Sequence, residues 1–314
     1  MATTILNALL PVVVTLLLGV VAAWHHDFDE DQATVLNRMV MTYALPLMLF
    51  SGIVATPRSA LAGDIRLISV TVGALLGGYF VTLLLARYVF RRNIMTATLQ
   101  ALAIGVPSIG FVGLPVLGYL FGENAAAIPV AVSVLAFVLV QLPLSLVLLS
   151  AGAAARGDGG TPKPVREQIV SALIQPVVWA PVIAFVIMLL AVPIPSELTT
   201  SLALLGHATS GVALFASGVI LFSRRVKFSV PMAVSVVARN IVIPACVWGL
   251  VVLFDLSKVG GNEAVVTMAI PTAVICLVFA VQYRVGEQEM ASTLLVSTLL
   301  SLPTMGVFIW LLGA

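Results

Sequence analysis

Gly105-Val106-Pro107-Ser108-Ile109-Gly110-Phe111-Val112-Gly113-Leu114-Pro115 lies in the middle of a long apolar run, near 94–121, and its reading decides the fold. A proline inside a helix removes one backbone hydrogen bond and clashes with the preceding turn. Glycines add backbone freedom and let neighbours approach closely. Two prolines and three glycines in eleven residues therefore predict a break in the helix. Inside a bilayer, broken backbone is tolerated only where protein or a cavity covers it. The competing reading is an ordinary proline kink, since Pro and Gly are common in membrane helices.

The surrounding composition makes the bilayer the relevant solvent. Of the 314 residues, 61% are hydrophobic and 9% charged, and the mean hydropathy is +1.17. Soluble domains carry about 25% charged residues, so this chain could not cover a water-facing surface. Apolar runs of spanning length recur near 5–24, 34–54, 66–88, 94–121, 125–150, 168–192, 198–222, 229–254, 264–283 and 287–312. They do not alternate as barrel strands do, so the expected fold is all-α with ten transmembrane helices. Residues 5–24 lack a basic leader and a small-residue cleavage site, and read as a retained first span.

Lys and Arg set the expected orientation. With the N-terminus outside, the inner loops hold Arg38, Arg87, Arg91, Arg92, Arg156, Lys163, Arg166, Arg224, Arg225, Lys227 and Arg284, and the outer loops only Arg58, Arg66 and Lys258. The positive-inside rule then places both termini outside. The polar stretch 152–167 reads as a flexible cytoplasmic linker between residues 1–151 and 168–314. Shifting the second half back by 166 residues lays Ser217-Gly218 on Ser51-Gly52, Ser235 on Ser69, and Ala269-Ile270 on Ala103-Ile104. Each half then holds five spans, so the halves have opposite topology. That is the inverted repeat of many secondary transporters.

The shift also lays the break at 105–115 near a second one at Pro271-Thr272 in the ninth span. Paired broken helices point to a transport site, because half-helix N-termini suit an anion. The candidate site residues are Pro107, Ser108, Gly110, Gly113, Pro271 and Thr272, with Arg239 and Asn240 from the eighth span. A guanidinium at that depth costs at least ~2.5 kcal/mol on insertion scales and must face a cavity or a partner. No Asp or Glu lies within the interior of a predicted span, which leaves two readings of Arg239. It grips a carboxylate cargo with its planar fork, or it caps the carbonyls of a broken helix. His207 is the candidate for proton coupling; Asn7, Gln100, Gln141, Gln175 and Gln282 read mainly as interhelical hydrogen-bond partners.

Several signals of other chemistry are weak. His25, His26, Asp27, Asp29, Glu30 and Asp31 crowd one loop and read as solvated rather than as a metal site. Cys246 and Cys276 have no zinc or disulfide spacing. No hydrolase elbow, zinc-protease or phosphate-loop motif is present, so no enzyme activity, cofactor or nucleic-acid partner is expected.

Together the motifs resemble the auxin efflux carrier family in its short bacterial form. The resemblance rests on Leu10-Pro11, Leu36-Asn37-Arg38, Tyr43-Ala44-Leu45-Pro46, Gly110-Phe111-Val112-Gly113-Leu114-Pro115, Gln175-Pro176, Pro271-Thr272-Ala273 and Ser297-Thr298-Leu299-Leu300-Ser301. It implies two inverted five-helix repeats whose fourth and ninth helices cross at their prolines, and an elevator-type carrier in the bacterial inner membrane. It implies a small organic anion as cargo, malonate among the bacterial candidates, and a homodimer as in relatives. The family often has Asn shortly before its Gly-Phe motif, where this chain has Ser108. A sodium-coupled symporter of the bile-acid-carrier type and a non-transporting membrane sensor are the alternatives.

Overall fold

A computed structural model describes residues 2–55, 65–156, 170, 174, 176–223 and 227–313. Gln175, the linker from 157 onward, and Arg58, Lys163, Arg166, Arg224 and Arg225 lie outside them, as do the side chains of Asn7, Phe111, Leu114 and Pro115.

All regular elements among the described residues are helical. We label them α1 (Ala2–Trp24), α2 (Glu30–Ala55), α3 (Ile65–Val89), α4 (Ile94–Gly105) and α5 (Leu114–Phe121). The element α6 starts as Glu123–Ala136 and continues through a π-helical turn, Phe137–Gln141, into Leu142–Arg156. There follow α7 (Pro176–Leu190), α8 (Ser196–Gly206), α9 (Ala208–Ser223), α10 (Val230–Leu253), α11 (Lys258–Ala269), α12 (Ile275–Gln282) and α13 (Glu287–Leu312). Among the described residues, six helices are long and apolar enough to span a bilayer: α2, α3, the α6 segment from Val132, α8 with α9, α10 and α13. Large apolar side chains stand exposed along them, among them Leu84, Leu139, Val234 and Trp310, and Trp179 stands exposed on the shorter α7. Water would penalise such a surface, whereas lipid tails solvate it, so the molecule is an all-α membrane protein.

Two departures from the sequence reading concern boundaries. The helix α6 runs to Arg156, so the linker begins later than 152. The helix α11 begins at Lys258, not at 264, and Glu263 therefore lies within it at 4% exposure. The expectation of acid-free helices fails there because Ser257 accepts from the N–H of Gly260 and starts the helix early. Asp29 does the same for α2, where it forms a capping box with Gln32. The acidic loop residue thus has a local structural task. Among the described residues, no three His, Cys, Asp or Glu side chains gather as a metal site.

Packing sorts the helices. The helix α1 lies along α9, and α7 and α8 lie along the second half of α2. Gly19 and Gly218 mark the α1–α9 crossing, where a Cβ on Gly218 would sit 2.1 Å from the Leu16 carbonyl oxygen. The second group is α3, α4, α6, α10, α11 and α13, with α3 on α4, α4 on α6, and α10 and α13 on α11. Tyr79 of α3 hydrogen-bonds Ser145 of α6 at 2.7 Å, and Gly105 lets α4 press against the Tyr79 backbone.

Candidate functional site

The chain breaks twice, between α4 and the π-helical turn Ile109–Gly113, and between α11 and α12. The two breaks meet. Pro107 and Thr272 form an antiparallel bridge. The Ser108 N–H donates to the Pro271 carbonyl at 2.9 Å, and the Ala273 N–H donates to the Val106 carbonyl at 3.2 Å. The expected helix breaks are therefore present, and they exchange backbone hydrogen bonds instead of leaving them open. This is how irregular backbone survives away from water.

A helix leaves its last four carbonyls without intrahelical partners. Those of α4 can be accounted for one at a time. The Leu102 carbonyl accepts from the Val106 N–H at 3.0 Å. The Ala103 carbonyl accepts from Thr272 Oγ1 at 2.8 Å, and the Ile104 carbonyl from Arg239 Nη1 at 2.9 Å. The Gly105 carbonyl has a long contact, 3.5 Å, with Gln141 Nε2, which also donates to Leu75 at 3.0 Å. At the end of α11, the Ile270 carbonyl accepts from both Arg239 Nε at 2.9 Å and Nη2 at 2.7 Å.

Arg239 is 0% exposed. Its guanidinium sits between the C-terminal ends of two half-helices. Each such end carries roughly −0.5 of a charge, so the pair balances one cation without a carboxylate. Of the two readings open from sequence, this geometry is the capping one. Arg239 lines neither cavity described below. Asn240 is likewise occupied: its Nδ2 donates to the Ser297 carbonyl at 2.8 Å, and its Oδ1 accepts from Ser297 Oγ at 2.7 Å. Ser297 Oγ in turn accepts from the Thr272 N–H at 3.1 Å. Arg239, Asn240 and Thr272 hold the crossing together.

A cleft of about 780 Å³, counted to its open mouth, lies on one side of the crossing. Pro107, Ser108, Ile109, Gly110, Ala273, Val274 and Ile275 form its floor; α2, α6 and Val177 of α7 form its walls. Among the described residues, its polar side chains are Asn37, Ser108 and Ser133, and no lining residue is charged. A smaller cavity, about 350 Å³, lies between the crossing, α1, α9 and α13, and shares Ser108 and Val274 with the first. Thr272 lines this second one. Gly113 lines neither; a Cβ there would meet Ile270 Cδ1 at 2.8 Å. Pro271 lines neither and supplies the carbonyl that holds Ser108. His207 is exposed at the junction of α8 and α9, apart from both linings.

Gln100 donates to Glu289 at 3.0 Å, and Glu289 also pairs with Arg92 at 3.6 Å. That joins α4 to α13 away from the crossing. Sequence reading did not single out Asn37 as a site residue or Ser133 at all. Asn37 stood only as part of a motif, and a lone serine in an apolar run carries no signal of which way it faces.

Lipid-facing helices around a buried crossing of two broken ones, with a cleft against it, define an integral membrane transporter. The chain belongs to the membrane transport protein family, whose profile matches residues 4–309. The uncharacterized transporter YfdV of Escherichia coli (strain K12) is 31% identical over 300 residues, covering 95% of each chain. A Rhizobium meliloti (strain 1021) protein, whose name gives malonate transport as a proposed role, is 27% identical over 98% of this chain and 96% of its own. An uncharacterized transporter of Methanocaldococcus jannaschii is 23% identical over 98% of each. The chain is thus a multi-pass membrane transporter and not an enzyme.

Proposed function

We propose that the chain is a secondary carrier for a small organic anion, a carboxylate, bound in the cleft at the crossing. The observation that carries this is the position of Ser108. It lines both cavities, on backbone pinned by Pro271, beside the start of α12, whose positive dipole end favours an anion. A carrier needs one binding position that opposite sides can reach in turn. Among the described residues no charged side chain lines the cleft, so neutral donors hold the anion in this reading. That favours a singly charged acid with an apolar remainder over a dianion. Malonate stays in the panel through the name of the Rhizobium relative.

The architecture we propose is ten spans in two inverted repeats, residues 1–151 and 168–314. The 166-residue shift turns the pairing of α1 with α9 into that of α7 with α2, and both pairings are present. The same shift exchanges the two rows of the crossing, Val106 opposite Ala273 and Pro107 opposite Thr272. The elevator reading assigns α1, α2, α7, α8 and α9 to a fixed frame and the crossing-bearing bundle to the moving part. N-out and C-out termini in a bacterial inner membrane, a homodimer, and proton or sodium coupling belong to the same proposal.

The test is ligand-induced thermal stabilisation of the purified chain against a panel of mono- and dicarboxylates, with and without sodium and across pH. Saturable stabilisation by one acid, lost in Ser108→Ala, supports the reading. Carboxylate stabilisation that survives both Ser108→Ala and Gly110→Val places the site elsewhere.

A further inference from the structure

Many hydroxyls inside these helices share one kind of partner. Ser51, Thr98, Ser217, Ser235 and Thr298 each donate to the carbonyl four residues back, at 2.7–2.9 Å. Ser133 on α6 does not. It is 3% exposed, and its Oγ has no hydrogen-bond partner among the described residues. Thr71, Gln141, Thr209 and Thr267 also hold an unpartnered buried oxygen, but none of them lines either of the two cavities described. Ser133 lines the cleft that contains Ser108 and Asn37.

A buried hydroxyl left without a partner is costly, and nearly all such groups are satisfied by protein or water. The carbonyl that would satisfy Ser133, one turn back on its own helix, is the partner its counterparts use. We propose that Ser133 is a cargo-binding residue, whose hydroxyl donates to an oxygen of the organic anion held at Ser108. This rests on the cleft being the cargo site. It adds a contact from α6, a wall of the cleft, so the anion is held by neutral hydroxyls on two elements. Phe137 and Val138, one turn further along α6, supply the apolar surface beside it.

The experiment uses the purified full-length chain with malonate and phenylacetate as probes, titrated by thermal shift into wild type, Ser133→Ala, Ser133→Thr and Ser108→Ala. Loss of one hydrogen bond to a charged oxygen weakens binding about tenfold. The expected result is that Ser133→Ala raises the Kd of the bound probe about tenfold, while Ser133→Thr, which keeps the hydroxyl, restores it. The unliganded Tm of Ser133→Ala stays at or above wild type, since no internal bond is lost. A Ser133→Ala protein that binds like wild type while Ser108→Ala fails would overturn the role of Ser133 and leave the cleft standing. Undiminished binding in both variants would overturn the cleft as well. A Ser133→Ala protein whose unliganded Tm falls by several degrees makes the residue structural, and overturns the proposal without reference to any ligand.

Discussion

Arg239 lines neither cavity described above, yet the crossing depends on it. It donates three hydrogen bonds to two carbonyls that no other described donor reaches. Truncation leaves both carbonyls buried and unpaired, at about 1–3 kcal/mol each. Arg239→Ala should therefore lower the Tm of the unliganded protein markedly. Arg239→Lys should lower it nearly as far, because an ammonium keeps the charge but lacks the planar fork that spans both helix ends. A residue that only gripped the cargo would behave oppositely, with an unchanged unliganded Tm and a lost ligand shift. Tyr79→Phe is a smaller test of the same kind. It removes the 2.7 Å bond to Ser145 and should cost about 1 kcal/mol, read as a modest fall in Tm.

Among elements, close approach is carried by glycine. Gly218 and Gly19 let α1 and α9 touch backbone to backbone, and the atoms nearest a Cβ on Gly218 are the Leu16 carbonyl oxygen, Gly19 Cα and the Val20 nitrogen, all backbone. None of them can swing aside as a side chain would. Gly218→Ala should push the helices apart and lower the Tm by several degrees, through lost van der Waals packing. Gly211→Ala on the same helix, with open space around its Cβ, should leave Tm unchanged; equal effects would show that the crossing is not what matters. The all-helical, lipid-facing class was readable from sequence because lipid demands long apolar helices, and Pro107 and Pro271 announced their breaks. The early start of α11 was not readable, because a serine cap outweighed the polar run Lys258–Glu263. Nor was the partner of Arg239. A backbone carbonyl leaves no residue-type signature, so sequence could pose the capping and cargo readings but not choose between them. Ser133 was hidden for a related reason: its chemistry lies in a hydrogen bond it fails to make.

At the scale of the molecule, the proposed motion slides one group of helices past the other, and the two groups make different predictions under cross-linking. Phe28, in the connection between α1 and α2, and Phe215 of α9 pack edge to face, with ring centroids 5.2 Å apart, both on the side of the α1, α2, α7, α8, α9 group. Leu45 belongs to that group too, but its Cδ1 lies 3.3 Å from the position of a Cβ on Gly110, in the crossing. With Cys246 and Cys276 replaced, paired cysteines at 28 and 215 joined by a short bifunctional thiol reagent should leave transport intact, since both ends move together. Paired cysteines at 45 and 110 should join only while the crossing stands in the position described, and should then stop turnover. Gly110→Cys alters the cleft, so the uncross-linked pair is the reference. Its transport before joining and its recovery after cleavage of the linker separate immobilisation from damage to the site. A 45–110 linkage that leaves the transport rate unchanged would mean that the two groups do not slide past each other, and cargo would have to cross by rearrangements on either side of a fixed crossing.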